Sequence, residues 1–174
     1  MFIFGSSVVD NGNNNNFNGS TAKANFLPYG IDFNVGPTKA IGRFSNGKNI
    51  ADKIGDHLKL PLIPSFANTQ TQGDSILYGV NFASAGSGIL NETGAFLGKV
   101  ISLHEQITNF EGAILPKLES QLRRQRNKIL PDYLFLVAAG NNDYSSQLLS
   151  SGNASQSAQA FAANLIAVYS AQLK

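Results

Sequence analysis

The chain has 174 residues, 43% hydrophobic and only 14% charged, which is the length of about one domain and the make-up of globular sequence, not of a disordered tail. Thirteen Lys and Arg against 11 Asp and Glu leave a net charge of +2, too slight and too scattered for a nucleic-acid partner. With no cysteine and two histidines at unrelated positions, disulfides and thiolate metal sites are excluded and neither a metal nor a cofactor is expected. No apolar run approaches the roughly eighteen residues of a membrane span.

In chain order, Phe2-Ile3-Phe4 reads as a short buried strand that ends on Gly5-Ser6-Ser7. Glycine permits a sharp bend there, so the serine hydroxyl that follows is displayed and not packed. The run Asn11–Asn18 reads as loop, because asparagine favours turns through hydrogen bonds to nearby backbone. From Lys48 to Leu58, Ile50, Ala51, Ile54 and Leu58 recur at helical spacing, and Pro61 and Pro64 stop the pattern.

Ser75–Ala83 carries β-branched and aromatic residues and leads into Gly86-Ser87-Gly88, which predicts a second strand closed by a glycine-rich turn. A longer helix is expected through Ile107, Phe110, Ile114, Leu118 and Leu122, interrupted or kinked near Pro116. The basic run from Arg123 to Lys128 closes that helix, where cations favour the negative end of the dipole, and reads as a solvated face. Tyr133–Ala138 is continuously apolar, as for a parallel strand covered on both faces, and it ends at Gly140-Asn141-Asn142-Asp143. After a polar loop around Ser150–Ser157, a last helix sets Phe161, Leu165, Val168, Tyr169 and Leu173 on one side. The alternation of strand and helix implies a right-handed parallel α/β sheet in a single domain over residues 1–174.

The three segments around Ser7, Gly86 and Asn142 each follow an apolar strand and each offer groups suited to a developing oxyanion. In this order, together with Asn25-Phe26-Leu27-Pro28-Tyr29-Gly30-Ile31-Asp32-Phe33 and Gly42-Arg43-Phe44-Ser45-Asn46-Gly47-Lys48, they resemble the plant branch of the GDSL lipase/esterase family, also called SGNH hydrolases. The resemblance implies a three-layer, doubly wound, flavodoxin-like parallel sheet, of which this chain would hold the N-terminal part. It also implies a first strand lying between the other two, which would gather the three segments at the carboxyl ends of the strands. Ser7 Oγ would then attack an ester carbonyl of a lipid or small acyl compound. The Ser7 and Gly86 N–H groups and the Asn142 carboxamide would bind the oxygen that becomes negative.

Two departures weigh on activity. The family draws its base from an Asp-x-x-His segment near its C-terminus, which this chain lacks, and His57 and His104 both lie in predicted helices where a structural role is expected. The family turn is Gly-Asp-Ser, whereas here Ser6 replaces the carboxylate with a hydroxyl that can accept only a weaker local bond. A weak or inactive esterase is therefore one reading, and a catalytically silent binding or interaction protein is the other. The missing half would leave the third strand as a long apolar edge. Pro37–Gly42 also reads as a loop insertion relative to the family.

Gly86-Ser87-Gly88 after a strand suggests a dinucleotide turn, but Asn91 stands where the third glycine belongs. Secretion is implied by the resemblance. Met1 directly before the first strand leaves no room for a signal peptide in this chain, so a trimmed form, a mature-like fragment or an incomplete gene model is expected. Sequons at Asn18, Asn91 and Asn153 do not settle the matter, because roughly two or three arise by chance in so Asn-rich a chain. Acyl specificity and oligomeric state are not legible.

Overall fold

A computed structural model describes residues 1–33, 41–68, 73–125, 132–150 and 158–174. Its centre is β1 (Phe2–Gly5), a strand whose every residue is buried. On one side β1 pairs in parallel with β2 (Phe135–Ala138), with Phe2 opposite Phe135 and Gly5 opposite Ala138. On its other side the chain at 80–84 runs alongside: Ile3 N–H donates to Val80 O, Phe82 N–H to Ile3 O and Ser84 N–H to Gly5 O. Beyond that, Asn81 bridges in parallel to Ser65. The first strand thus lies between the other two segments.

The strand expected over Ser75–Ala83 is corrected. Gly73–Leu77 winds into a 3-10 turn that buries Ile76 and Leu77, and only the residues after Gly79 are extended. The pairing of 80–84 with β1 is interrupted at Gly5, whose N–H goes to Gln106 Oε1 and not to a backbone carbonyl, while the Asn81 side chain accepts the Ala83 N–H through Oδ1 and donates to Val9 O through Nδ2.

Alternation along β1 sends its side chains to two cores. Phe2 and Phe4 join a cluster with Phe82, Phe110, Leu118 and Phe161. Met1 and Ile3 face Val9, Ala51 and Ile63. The second cluster is closed by α1 (Ile50–His57), within the predicted span. Asn49 caps that helix, and Asp52 completes a capping box while also pairing with the buried Arg43 at 2.6 Å.

The first cluster is closed by one continuous helical rod: α2 (Leu103–Asn109), a π-turn at Phe110–Ile114 and α3 (Leu115–Gln125). The expected interruption near Pro116 is this π-turn, in which Leu115 N–H reaches Phe110 O. Proline cannot donate to the carbonyl four residues back, and the widened turn accommodates it while Phe110, Ile114, Leu118 and Leu122 all stay buried. After β2, α4 (Asn141–Ser150) and α5 (Ala158–Gln172) follow, with Phe161 and Leu165 inside.

β2 departs from its expected burial. Leu134 and Phe135 are 44% and 42% exposed, because among the described residues β2 has β1 as its only strand partner. The arrangement is α/β with a small parallel sheet. The loop insertion from Pro37, the sequon at Asn153 and most of the basic run after Arg123 fall outside the described residues.

Candidate active site

The site is built at the carboxyl ends of β1 and β2. Gly5 is held at φ +134°, and a Cβ on it would overlap the Ala138 carbonyl, so only glycine lets the two strand ends approach this closely. Both polar groups of Gly5 are gripped by one buried side chain. Gln106 accepts the Gly5 N–H at 2.8 Å and donates to Gly5 O at 2.9 Å, while the same amide reaches Ile101 O and Ser87 Oγ. The turn that carries the serines is therefore anchored to α2 as well as to the sheet.

Ser6 is fully buried, its N–H bonded to Ala138 O and its hydroxyl donating to Asn141 Oδ1 at 3.2 Å. The local backbone contact expected of Ser6 is thus replaced by a link to the start of α4. Ser7 is half-buried, and among the described residues neither its hydroxyl nor its N–H has a hydrogen-bond partner.

The glycine-rich turn is tied to the same place. Ser84 N–H and Ser87 Oγ both donate to Gly5 O. Gly86 takes φ +82°, a conformation that suits glycine, and among the described residues its N–H is also without a partner. Asn142, in the first turn of α4, donates from Nδ2 to Ser87 O at 2.8 Å. One amide hydrogen orients the carboxamide and leaves the second available, since an NH₂ group carries two donors. Hydrogen bonds therefore join the segments of Ser7, Gly86 and Asn142, although no bond links the three residues directly.

Among the described residues no general base is hydrogen-bonded to Ser7. His57 and His104 are exposed, and neither ring hydrogen-bonds a described residue. His57 ends α1, whose capped start lies against Asp10 and Asn11, so a helix length separates it from the Ser7 turn. Among the described residues no group of His, Asp or Glu could hold a metal.

Several supporting residues were not legible in advance. Asp10, fully buried, accepts the Gly12 and Asn13 N–H groups through Oδ1 and the Ala85 N–H through Oδ2. Burial lifts its carboxyl from 3.8 to about 6, against the downward pull of those backbone donors and of Arg43. Asp143, also buried, accepts from Ile89 N–H, Leu90 N–H and Thr93 Oγ1.

The asparagine run does form turns, but three of its members are buried: Asn11 donates to Ile63 O, Asn13 to Asn81 O and Ala83 O, and Asn14 to Ala85 O. The carboxamides of Asn13 and Asn14 supply, to the outer side of the 81–85 segment, the hydrogen bonds another strand would have made. The only sequence signal for this was the position of Asp10 two residues before Gly12, the spacing of an Asx turn.

The family model described as GDSL-like Lipase/Acylhydrolase matches residues 1–174. The chain belongs to this GDSL family. Among curated relatives, the Arabidopsis thaliana protein GDSL esterase/lipase At5g08460 is 49% identical over 144 residues, covering 83% of this chain and 37% of that protein. GDSL esterase/lipase At1g71691 of the same plant is 45% identical over 155 residues, 83% of this chain and 36% of the relative. GDSL esterase/lipase 7, also from Arabidopsis, is 39% identical over 183 residues, 99% of this chain and 48% of its own length. This GDSL chain spans less than half the length of these relatives. No solved structure matches it.

Proposed function

We propose that this chain carries the nucleophile and oxyanion half of a carboxylic-ester hydrolase site, set on a three-layer doubly wound sheet of the SGNH type. Ser7 Oγ forms the bond to the acyl carbon, the alcohol leaves with a proton, and water later releases the acid and restores the serine. The Ser7 and Gly86 N–H groups and the second Asn142 amide hydrogen receive the carbonyl oxygen as it gains charge. The observation that carries this reading is the pair of backbone N–H groups, Ser7 and Gly86, left without partners among the described residues beside an unbonded serine hydroxyl. Both residues are half-buried, so these N–H groups are open to a carbonyl oxygen that displaces water. Secretion, as for a plant esterase of this family, belongs to the same proposal.

With no base on Ser7 among the described residues, catalysis by this chain rests on the oxyanion donors, and sites of that kind retain only about a thousand- to ten-thousand-fold over water. The exposed histidines and the Ser6 hydroxyl favour a second reading, a silent binding protein that keeps the pocket without turnover. Hydrolysis of p-nitrophenyl butyrate by the chain and by Ser7→Ala separates the two. Slow turnover that disappears in the variant is the expected result. Equal background in both proteins removes the esterase reading and leaves the binder.

A further inference from the structure

The sequence holds three Asn-Gly pairs, Asn11-Gly12, Asn18-Gly19 and Asn46-Gly47. Such a pair can react with itself, because glycine carries no Cβ to shield its backbone nitrogen from the preceding carboxamide. The fold treats the three differently. Asn11 is buried, its Nδ2 donating to Ile63 O and its Oδ1 accepting from Asn49, and the Gly12 N–H is taken by Asp10 Oδ1. Asn46 is exposed, but its Nδ2 is held by the Asp32 carboxylate. Asn18 is exposed in a turn, and among the described residues neither its carboxamide nor the Gly19 N–H has a hydrogen-bond partner. A Cβ placed on Gly19 would meet nothing within 4 Å.

We propose that Asn18 is a site of spontaneous deamidation, the Asn-Gly pair whose reaction the fold leaves open. The Gly19 amide gives its proton to hydroxide, and its nitrogen attacks Asn18 Cγ. A C–N bond forms, the Cγ–Nδ2 bond breaks and ammonia leaves, which closes a cyclic imide. Water then opens either imide carbonyl and leaves aspartate or isoaspartate at position 18. One water is consumed for each ammonia released, and nothing is oxidised or reduced.

The product is felt beyond the turn. It adds one negative charge to a chain of net charge +2 and erases the sequon that Asn18 opens. Isoaspartate also lengthens the main chain by one carbon, directly before a clasped residue. Gly19 O accepts the Lys99 N–H, Ser20 bridges Gly98, and a Cβ on Gly98 would overlap Gly19 O. The 94–98 turn in turn supports Gly86, since a Cβ on Gly94 would overlap the Gly86 carbonyl. The chemistry at Asn18 does not depend on the esterase reading.

The test incubates the folded chain in mildly alkaline buffer and follows each Asn-Gly peptide by mass spectrometry, which reads the exchange of NH₂ for OH; enzymatic carboxyl methylation identifies isoaspartate. Conversion at Asn18 should come first. Asn46 should lag roughly tenfold, behind one hydrogen bond, and Asn11 roughly a hundredfold, behind three. In urea the three rates should converge, because the protection is structural. Asn18→Gln, whose longer side chain closes the ring far more slowly, should remove the fast phase. In the ¹⁵N-labelled chain, isoaspartate at position 18 should shift the Gly98 and Lys99 amide signals. No conversion at Asn18, conversion of Asn11 or Asn46 as fast as that of Asn18, an order unchanged in urea, or a fast phase persisting in Asn18→Gln would overturn the assignment. Unmoved Gly98 and Lys99 signals in the isoaspartate form would overturn the coupling to the 94–98 turn.

Discussion

The Asp143 carboxylate occupies space that only a glycine at position 88 leaves open, since a Cβ on Gly88 would overlap both of its oxygens. From there it accepts the Ile89 and Leu90 N–H groups at 3.0 Å and the Thr93 hydroxyl at 2.7 Å. The residue after Asn142 thus fixes the turn that begins at Gly86, and two proposed oxyanion donors are set by one buried acid.

Asp143→Ala leaves those donors unpaired in the interior and should cost about 3 kcal/mol, with Asp143→Asn losing less because one oxygen remains. Gly88→Ala should be comparably damaging through overlap. In the double variant Gly88→Ala/Asp143→Ala the losses should be less than additive, because the overlap with the carboxylate disappears and only that with Thr93 Cγ2 is left. Urea unfolding of the four proteins, at constant slope, measures this; full additivity would show that the two positions are not in contact.

Asp10 predicts an unusual pH dependence. Its folded-state pKa, lifted by burial to about 6 from 3.8, means that the folded chain holds this proton more tightly than the unfolded one. The stabilising contribution is complete below about pH 4 and is lost as pH rises through about 6. The difference amounts to about 3 kcal/mol. Chemical denaturation from pH 4 to pH 7 should therefore show a falling contribution that vanishes in Asp10→Asn. That variant should also be weaker in absolute terms, since an amide N–H₂ cannot accept the Ala85 N–H that Oδ2 now accepts. A parallel pH profile in the two proteins would contradict the assignment.

Neighbouring asparagines should behave oppositely. Asn13→Ala strands the Ala83 carbonyl and the Ala67 N–H and leaves Asn81 O with the Phe66 N–H alone, and should destabilise by about 3 kcal/mol. Asn16→Ala, on the exposed side of the same run, should change stability by less than about 0.5 kcal/mol. Equal effects would mean that the run is only a surface loop.

What the sequence disclosed and what it concealed follow one physical division. β1, α1, the buried face of α2 and α3 and the apolar stretch of β2 were legible because burial imposes a period that residue types record. Phe110, Ile114, Leu118 and Leu122 are an instance. The glycine bend was legible, but not which serine it buries: Ser6, directly after Gly5, is fully buried and Ser7 is half-buried. Ser75–Leu77 reads as strand because Ile76 and Leu77 are apolar, yet it winds into a 3-10 turn that buries both, and a short apolar run has the same appearance in either form. Gln106, Asp10 and Asp143 escaped for a related reason. A buried polar residue looks like any surface polar residue until its partners, distant in sequence, are known.

The central claim, that Ser7, Gly86 and Asn142 serve one oxyanion pocket, is tested most directly by titrating the ¹⁵N-labelled chain with butylboronic acid, whose boron forms a tetrahedral adduct on a serine hydroxyl. The account predicts that the Ser7 and Gly86 backbone amides and the Asn142 side-chain amide shift together along one binding curve, and that Ser7→Ala abolishes all three changes. Shifts of one group without the others, or an undiminished response in Ser7→Ala, would contradict it.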